Sequence, residues 1–301
     1  MTGDINVIHH PGLIARDIEA TVGQYERLGF VFTPLSLHRI AIRPDEQPIY
    51  FGTGNRNAIF EHNFLEIVGV VDDHKWNQIT KAQRGPFDLD ERLRLYQGLH
   101  IMHFGADDIE VVRARFQREG IGCSNVARVQ RAVDTPAGEK VMQAVAFHFE
   151  RGANPEALMQ VAQHLTPEIA LQPRYMRHGN GARLLTEVIV CSADPEQLAQ
   201  KYARYAAREV RHRSGLYIVD LSLSRIVVVD PPGLDRMLPG YKPPVLPFLA
   251  GFTVATSNMA MARDVLKTNK IEAIRNDERW VVAPKDACGC AVIFEEIGAT
   301  R

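Results

Sequence analysis

The sequence has few cysteines and no long apolar run, and both absences restrict the class of protein it encodes. Four cysteines in 301 residues are too few for the disulfide framework of a secreted protein. No stretch approaches the roughly 20 apolar residues of a membrane-spanning helix, and the start of the chain lacks the basic and apolar parts of a signal peptide. We therefore expect a globular protein that does not associate with a membrane, in the cytoplasm by default.

The sequence also lacks an excess of charge of either sign. It carries 35 basic and 36 acidic side chains, which give a formal net charge of −1. Proteins that bind nucleic acid carry a surplus of basic residues on the surface that contacts it, so this balance argues against a nucleic-acid partner. Selectivity must come from a local site, and a small molecule is the expected partner.

Three common catalytic motifs are missing as well. The chain contains no Gly-x-Ser-x-Gly nucleophile elbow, no His-Glu-x-x-His zinc helix and no glycine-rich dinucleotide fingerprint. These absences argue against nucleophilic hydrolysis and against hydride transfer. The pair Cys288-x-Cys290 does not complete a four-ligand zinc site, so free buried thiols are the expectation.

What the sequence does contain is a repeated pattern of a strand, a capping residue and a helix. In the first copy, Ile5–Phe30, a β-branched run precedes Asp17 as the helix cap, and apolar residues at helical spacing run as far as Gly29. The break at Pro11-Gly12 predicts a kink or a bulge in this strand.

Three later copies follow the same order, with Asp108, Asp194 and either Ser257 or Asn258 as the helix caps. About three short strand-like runs follow each helix, so the repeating unit is predicted to be a βαβββ module. The four modules are expected to cover residues 4–72, 98–152, 182–232 and 248–298.

The stretches between modules have the composition of connectors. Asp72–Gln97 is highly charged, and Pro231–Pro247 is rich in proline. Pro155 and the apolar residues after it predict a short helix that crosses from the first half to the second. The predicted division is a first domain over 1–152, a connector over 153–181 and a second domain over 182–301.

The first module resembles the opening module of the vicinal oxygen chelate superfamily, the glyoxalase and extradiol dioxygenase group. The resemblance rests on His10, on Asp17-Ile18-Glu19 seven residues later, on Tyr25–Phe30, and on Leu65-Glu66-Ile67 at the end of the module. It implies an α+β fold in which the four modules pair into two glyoxalase-like domains. Each domain would be an incomplete β-barrel shaped like a cup.

The resemblance also implies a divalent metal on the inner wall of the first cup. In the family the ligands lie on the first and last strands of each module, which points to His10 and Glu66. His103 is the third candidate, and His148, assigned the place of Glu66 in the second module, is the fourth. Two imidazoles and a carboxylate on neighbouring strands suit iron, manganese, zinc or nickel. Glu66 and His148 are also the predicted catalytic residues.

Two other segments supply candidates for substrate binding. Gly52–Asn57 predicts a hairpin loop near the mouth of the cup, with Arg56 facing the ligand. The segment from His164 to Asn180 is rich in polar side chains. If it closes over the cup, Arg174 and His178 bind substrate; the alternative is a solvated linker.

Two functions remain open. The first is a metal-dependent enzyme, a glyoxalase-type lyase or isomerase or a dioxygenase, that holds two neighbouring oxygens of a small substrate on the metal. The second is a metal-free cup that sequesters a small molecule, as in antibiotic resistance. Ring-cleaving dioxygenases of similar length carry metal-binding histidines in the second half, where this chain has Glu187 and no histidine in Phe252–Ala255. The second half is therefore expected to be structural or to form a homodimer.

Overall fold

The computed structural model describes residues 4–40 and 47–298, which form two eight-stranded sheets with helices packed between them. The strands of the first sheet are β1 (Ile5–Ile14), β2 (Ser36–Ile40), β3 (Ile49–Ile59), β4 (Phe64–Val70), β5 (Gly98–Ala106), β6 (Ala127–Thr135), β7 (Gly138–His148) and β8 (Gln160–His164). Those of the second are β9 (Ala182–Cys191), β10 (Val210–Arg213), β11 (Leu216–Asp220), β12 (Arg225–Val229), β13 (Phe248–Thr256), β14 (Ala273–Asn276), β15 (Arg279–Val282) and β16 (Ala291–Glu296).

The helices connect these strands or lie between modules. They are α1 (Ile18–Arg27), α2 (Asp73–Gln78), α3 (Lys81–Arg84), α4 (Leu89–Leu95), α5 (Ile109–Arg118), α6 (Pro167–Ala170), α7 (Pro195–Ala206), α8 (Pro231–Met237) and α9 (Met259–Thr268). Short 3-10 helices cover Gly85–Phe87, Pro173–Tyr175 and Pro284–Asp286. No described helix is both long and apolar enough to span a membrane.

The strand order confirms the predicted fold class. The first sheet runs β2-β3-β4-β1-β5-β8-β7-β6, and the second repeats this order as β10-β11-β12-β9-β13-β16-β15-β14. Within a module the last strand pairs in parallel with the first, and two modules join where their first strands pair antiparallel. The chain therefore consists of four βαβββ modules paired into two glyoxalase-like sheets.

The first sheet curls into a cup. The evidence is a contact across it: Arg131 on the edge strand β6 donates a hydrogen bond from Nη1 to Oδ1 of Asn55 on β3, at 3.4 Å. These two strands are far apart in the strand order, so the sheet must bend to bring their side chains together. We call the concave face that carries Arg131 and Asn55 the first cup, and the corresponding face of the second sheet the second cup.

The last strand of the first sheet lies in the stretch predicted to be a connector. β8 falls within residues 153–181 and pairs in parallel with β5, with Val161 opposite Phe104. The predicted crossing helix is therefore wrong, because a run this short fits a strand as well as a helix. The first sheet extends beyond residue 152 to His164, and the domain boundaries otherwise stay a prediction.

The charged stretch Asp72–Gln97 is not an extended linker either. Trp76 of α2, Ile79 at the end of α2 and Leu89 of α4 are buried against apolar residues of β1, β3, β4 and β5. Helix α3 begins with a capping box between Thr80 and Gln83, which satisfies backbone groups at its first turn. The helices form an apolar floor at one end of the first cup, and the polar residues of the cup lie above it.

A single hydrophobic core joins the two halves. The Tyr25 ring of α1 stacks on Phe252 of the second sheet, and its hydroxyl donates a hydrogen bond to the Ala287 carbonyl at 3.1 Å. On the opposite side Phe149 packs against Tyr205 of α7, with ring centroids 4.5 Å apart. The helix-covered faces of both sheets therefore meet in the centre, and the two cups face away from it.

The apolar floor makes a testable contribution to stability. Leu89 is fully buried, whereas Leu95 on the same helix is 49% exposed. We expect Leu89→Ala to lower the free energy of unfolding by about 2–5 kcal/mol because it opens a cavity under the cup. Leu95→Ala is the matched control and should change it by less than about 0.5 kcal/mol. Urea denaturation measures both, and equal effects would contradict a packed floor.

Candidate functional site

The polar side chains of the first cup begin with a bulge in β1. Ile8 is opposite Phe104 on β5 and His10 is opposite His103, so His9 is an extra residue without a partner in the ladder. A bulge interrupts the alternation of side chains between the two faces of a strand. The consecutive residues His9 and His10 can therefore both point to the same face of the sheet, and their Nδ1 atoms lie 2.7 Å apart. The kink or bulge predicted at Pro11-Gly12 corresponds to a separate register shift between Gly12 and Leu13, and the bulge at His9 was not predicted.

His10, Glu66 and His103 meet in the middle of the cup. Nε2 of His10 lies 3.7 Å from Oε2 of Glu66, and the His10 and His103 rings are 4.3 Å apart between centroids. Gly12 creates the space for the carboxylate. A Cβ at Gly12 would lie 2.9 Å from Cβ of Ile101 and 3.2 Å from Oε2 of Glu66.

Phe64 and Asn55 hold this group in position. Phe64 stacks on the His10 ring with centroids 4.3 Å apart, which fixes the plane of the imidazole. Asn55 donates a short hydrogen bond from Nδ2 to Oε1 of Glu66, and its Oδ1 accepts the bond from Arg131. Glu66, Asn55 and Arg131 thus form a hydrogen-bonded chain from β4 through β3 to β6.

The imidazoles of the cup are neutral at physiological pH. Burial is the largest cause, and it lowers the pKa of His38 and His103 to about 3 and that of His164 to about 4. The pKa values of His9 and His10 also fall well below the ordinary value through burial and the neighbouring histidines. A neutral imidazole offers the lone pair that a metal ion binds.

Glu66 shows the opposite effect. Burial raises the pKa of its carboxyl above the ordinary range, while the charge of Arg131 and the hydrogen bond from Asn55 oppose the rise. A buried carboxylate beside bare imidazole lone pairs is costly unless a cation or a proton neutralises it. The chemistry of this donor set therefore fits a divalent cation.

The distances test that fit further. Two ligands that each lie about 2.0–2.2 Å from one ion are compatible with the 3.7 Å between the His10 and Glu66 donor atoms. Across residues 4–40 and 47–298, however, no three His, Cys, Asp or Glu side chains are gathered closely enough to form a ready-made metal site. Two candidate ligands, His10 and Glu66, lie at a compatible distance, and a third would have to move toward an ion.

Other ring nitrogens in the cup lack partners. Within the described part of the chain, Nε2 of His9, Nε2 of His38 and Nδ1 of His164 are buried without a hydrogen bond. His38 uses its other nitrogen to contact Thr53 Oγ1 at 3.0 Å, and His164 packs on His9 with ring centroids 4.4 Å apart. Buried polar atoms are nearly always satisfied, so these nitrogens are candidate contacts for a ligand.

The sequence family agrees with this geometry. A family model described as Glyoxalase-like domain matches residues 8–206, which include all of the first sheet except the first three residues of β1. The chain belongs to the glyoxalase-like family. It is thereby a member of the vicinal oxygen chelate superfamily, as the opening motif predicted. No curated protein matches the sequence.

Solved structures share the glyoxalase-like fold at low identity. A hypothetical protein from Staphylococcus aureus is 12% identical, with a TM-score of 0.63 over 96% of this chain and 99% of its own. The Mn(II)-bound glyoxalase from Novosphingobium aromaticivorans is also 12% identical, with a TM-score of 0.54 over 97% and 82%. A mutant of 4-hydroxymandelate synthase from Streptomyces coelicolor is 13% identical, with a TM-score of 0.52 over 99% and 94%.

The place assigned to His148 in the glyoxalase-like module is wrong. Ile67 on β4 is opposite Leu13, four residues before the cap Asp17, and Val161 on β8 is opposite Phe104, four residues before the cap Asp108. The residue that corresponds to Glu66 is therefore Gln160, one position before Val161.

His148 instead lies at the end of β7, the strand before the last one. It is exposed and contacts Gln160, whose Nε2 is 3.2 Å from its Nδ1. The error arose because β8 was hidden in the predicted connector. The roles of His148 as fourth ligand and catalytic residue stay predictions, and in both roles it would act from an exposed position at the end of β7.

The three residues predicted to bind substrate lie outside the first cup. Arg56 is on the face of β3 opposite to Asn55, where Nη1 lies 2.6 Å from Oε2 of Glu19 on α1. The prediction failed because residues 52–57 belong to a long strand rather than to a loop, so adjacent side chains point to opposite faces. Arg174 donates a hydrogen bond to the Asp134 carbonyl at 2.5 Å, on the outward side of β6.

His178 is a structural residue. Its Nδ1 accepts a hydrogen bond from the Val31 amide at 3.0 Å, and its Nε2 lies 3.0 Å from the Ile59 carbonyl, so both ring nitrogens are used by the backbone. Its ring packs on Phe30 and Phe60. The segment from His164 to Asn180 thus contributes only its first residue, His164, to the cup.

The second cup carries charge, but its charges are already paired. Glu187 contacts Arg225 at 2.6 Å and Arg279 at 3.1 Å, Arg279 contacts Glu295 at 2.8 Å, and Thr253 donates a hydrogen bond to Glu187 at 2.8 Å. Burial alone raises the pKa of Glu187, but Arg279 and Arg225 outweigh it and the net shift is downward. Among the described residues, both carboxylates of this network already contact arginines, so neither is left unpaired for a metal.

Sequence reasoning missed Asn55, His38, His164 and Arg131 in the first cup. Thr53 and Asn55 alternate with outward residues on β3, and Arg131 occupies the inward position between Val129 and Val133 on β6. That alternation was available as a signal. The alternation alone does not tell which face of a strand lines the cup, because that depends on the strand's pairing partners and their register.

The ion-pair network makes a prediction about stability and pH. Glu187→Gln leaves two arginines partly unpaired in the second cup, and we expect it to cost about 3–5 kcal/mol of unfolding free energy. Because the folded pKa of Glu187 is depressed, its contribution is fully present above the ordinary value of 4.5 and is lost as the pH falls below it. The variant should therefore lose less stability on acidification than the parent. Glu209→Gln, at an exposed site, is the control, and an unchanged pH profile in Glu187→Gln would contradict the network.

His178 makes a separate prediction. His178→Ala leaves the Val31 amide and the Ile59 carbonyl without partners, so thermal or urea unfolding should show a loss of about 1–3 kcal/mol. Metal and ligand binding, compared at a temperature where the variant is folded, should match the parent. His212→Ala, at an exposed position, should affect neither property. Weaker ligand binding without a loss of stability would instead place His178 in the site.

Proposed function

We propose that this glyoxalase-like protein is a metal-dependent enzyme that acts on a small, oxygen-rich substrate held through two neighbouring oxygens. The observation that carries the proposal is the 3.7 Å approach of His10 Nε2 to Glu66 Oε2 in a buried cup, with His103 beside them. The reaction class is that of a glyoxalase-type lyase or isomerase, or of a dioxygenase. A small molecule remains the proposed partner, and the cytoplasmic location and a homodimer stay predictions.

His10, Glu66 and His103 are the proposed metal ligands, with His148 as a fourth from the rim. The donor set of nitrogen and oxygen suits iron, manganese, zinc or nickel. A bound ion would act as a Lewis acid on two neighbouring substrate oxygens. His9 supports this arrangement through its contact with His10: if Nδ1 of His10 donates to His9, Nε2 of His10 is left as a bare lone pair toward Glu66.

Glu66 is also the proposed group for proton transfer. A carboxyl whose pKa is raised by burial takes up a proton more readily than an exposed one, which suits a general base near neutral pH. Asn55 holds Oε1, so Oε2 is the oxygen that faces His10 and the substrate space. The apolar floor under the cup excludes water from below, which strengthens each of these electrostatic interactions.

The alternative is a metal-free cup that binds and sequesters a small molecule. The favouring observation is that Glu66 already has a partner in Asn55, and that the described residues gather no third ligand around the His10 and Glu66 pair. In that case the unpartnered nitrogens of His9, His38 and His164 would bind the molecule directly. The two functions differ in the requirement for metal and in whether the bound molecule is transformed.

Metal content decides between these functions. We expect the parent to bind one divalent ion per chain, and His10→Ala and Glu66→Ala to lose it, each by at least about tenfold in affinity because one of few ligands is removed. Inductively coupled plasma mass spectrometry on protein dialysed against iron, manganese, zinc or nickel measures the occupancy. Assays with small dicarbonyl and catechol substrates should show a parallel loss of activity.

His62→Ala provides the matched control, because His62 is exposed and lies two residues before Phe64 on the same segment. Its metal content should equal that of the parent. If the parent takes up no divalent ion when all four metals are supplied in excess, the enzyme proposal fails and the sequestering cup replaces it. Full metal occupancy in both His10→Ala and Glu66→Ala would show that the metal binds at another place in the protein.

A further inference from the structure

Arg131 differs from the buried arginines of this protein in what it contacts. Arg115 pairs with Asp4 at 2.8 Å, Arg84 with Asp90 at 2.8 Å and Arg225 with Glu187 at 2.6 Å. Arg131 is half-buried, and within the described residues no carboxylate lies at salt-bridge distance from it. Its one hydrogen bond to residues 4–40 and 47–298 is the 3.4 Å contact with the neutral Asn55.

Its position is inside the first cup rather than at its outer surface. After burial, the charge of Arg131 is the next cause that lowers the pKa of His38 and of His164, which lie on opposite sides of the cup on β2 and β8. The strand position agrees, because residues 129, 131 and 133 are the less exposed face of β6 and Arg128 belongs to the exposed face. The guanidinium therefore faces the interior of the first cup, where it contacts Asn55.

A guanidinium carries five N–H donors in a planar fork, and it remains charged under all physiological conditions. Arg131 is half-buried inside the cup and uses one of these donors in a long, neutral contact, so the others are left to bind an anion. A carboxylate satisfies the fork best, because its two oxygens match two parallel N–H groups. The unpartnered nitrogens His9 Nε2, His38 Nε2 and His164 Nδ1 supply further polar contacts around the same space.

We propose that the first cup binds a small organic anion whose carboxylate pairs with Arg131. This inference rests on the proposed function, because the two neighbouring oxygens of the anion would be held by the proposed metal. Asn55 contacts both Arg131 and Glu66, so the carboxylate lies next to the proposed metal ligands. A carboxylic acid with an oxygen on the adjacent carbon, a 2-oxo or 2-hydroxy acid, provides both the charge for Arg131 and the two neighbouring oxygens. Arg131 is thus a specificity-determining residue.

The test compares acids with their neutral amides. Pyruvate and pyruvamide, and glycolate and glycolamide, differ in charge but hardly in size. Isothermal titration calorimetry of the parent, with and without a saturating divalent ion, should show binding of the acids that is about tenfold to a hundredfold tighter than that of the amides. Arg131→Gln should remove this preference, and Arg131→Lys should restore part of it, because lysine keeps the charge without the fork.

Arg128→Gln is the matched control on the exposed face of the same strand and should keep the full preference of the parent. Metal content should be unchanged in Arg131→Gln, which separates a substrate contact from a structural role at the metal ligands. If neither acid binds to the parent at millimolar concentration, or if Arg131→Gln keeps the preference for acids, the proposal is overturned.

The same data separate this inference from the proposed function. A parent that binds metal but prefers neither acid nor amide refutes the anion site and leaves the metal enzyme intact. A different result refutes the metal enzyme and supports an anion-binding cup: the parent binds no metal and prefers the acids, and the Arg131→Gln variant lacks that preference.

Discussion

The antiparallel pairing of β1 with β5 is the constraint on which the rest of the first half depends. It joins two βαβββ modules into one sheet, and its register places His10 directly opposite His103. The pairing is not a simple repeat, because the bulge at His9 shifts the strands and brings a second histidine to the same face. Two of the proposed metal ligands, His10 and His103, thus come from one seam between modules, and the third, Glu66, lies on the neighbouring strand β4.

The two cups show how one scaffold serves different purposes. In the second cup, Glu187 and Glu295 are neutralised by Arg225 and Arg279, and the network is satisfied without a ligand. In the first cup, a carboxylate, several neutral imidazoles and Arg131 lie together without enough mutual hydrogen bonds. Native proteins keep unsatisfied buried groups where function requires them, because each one costs stability. This contrast identifies the first cup, rather than the second, as the candidate functional site.

Local sequence signals predicted much of this architecture. Caps such as Asp17, Asp108 and Asp194 mark helices that begin one residue later, and the spacing of His10 and Glu66 identified two residues that do meet. The failures involve non-local pairing. β8 was too short to distinguish from a helix, so His148 was given the place of Gln160, and Arg56 was assigned to a loop that is a strand. Arg131 reaches Asn55 only because the sheet curls, and curvature is not encoded in any local pattern.

The account depends on one cation between two side chains, and crystallography with manganese tests this directly. Crystals grown with a saturating amount of the ion, measured at the manganese absorption edge, should show one anomalous peak in the first cup. We expect it within roughly 2.0–2.3 Å of His10 Nε2 and Glu66 Oε2, with His103 moved toward it. An empty cup at saturating metal, with Glu66 still bound only to Asn55, or a peak elsewhere in the protein, would contradict the account.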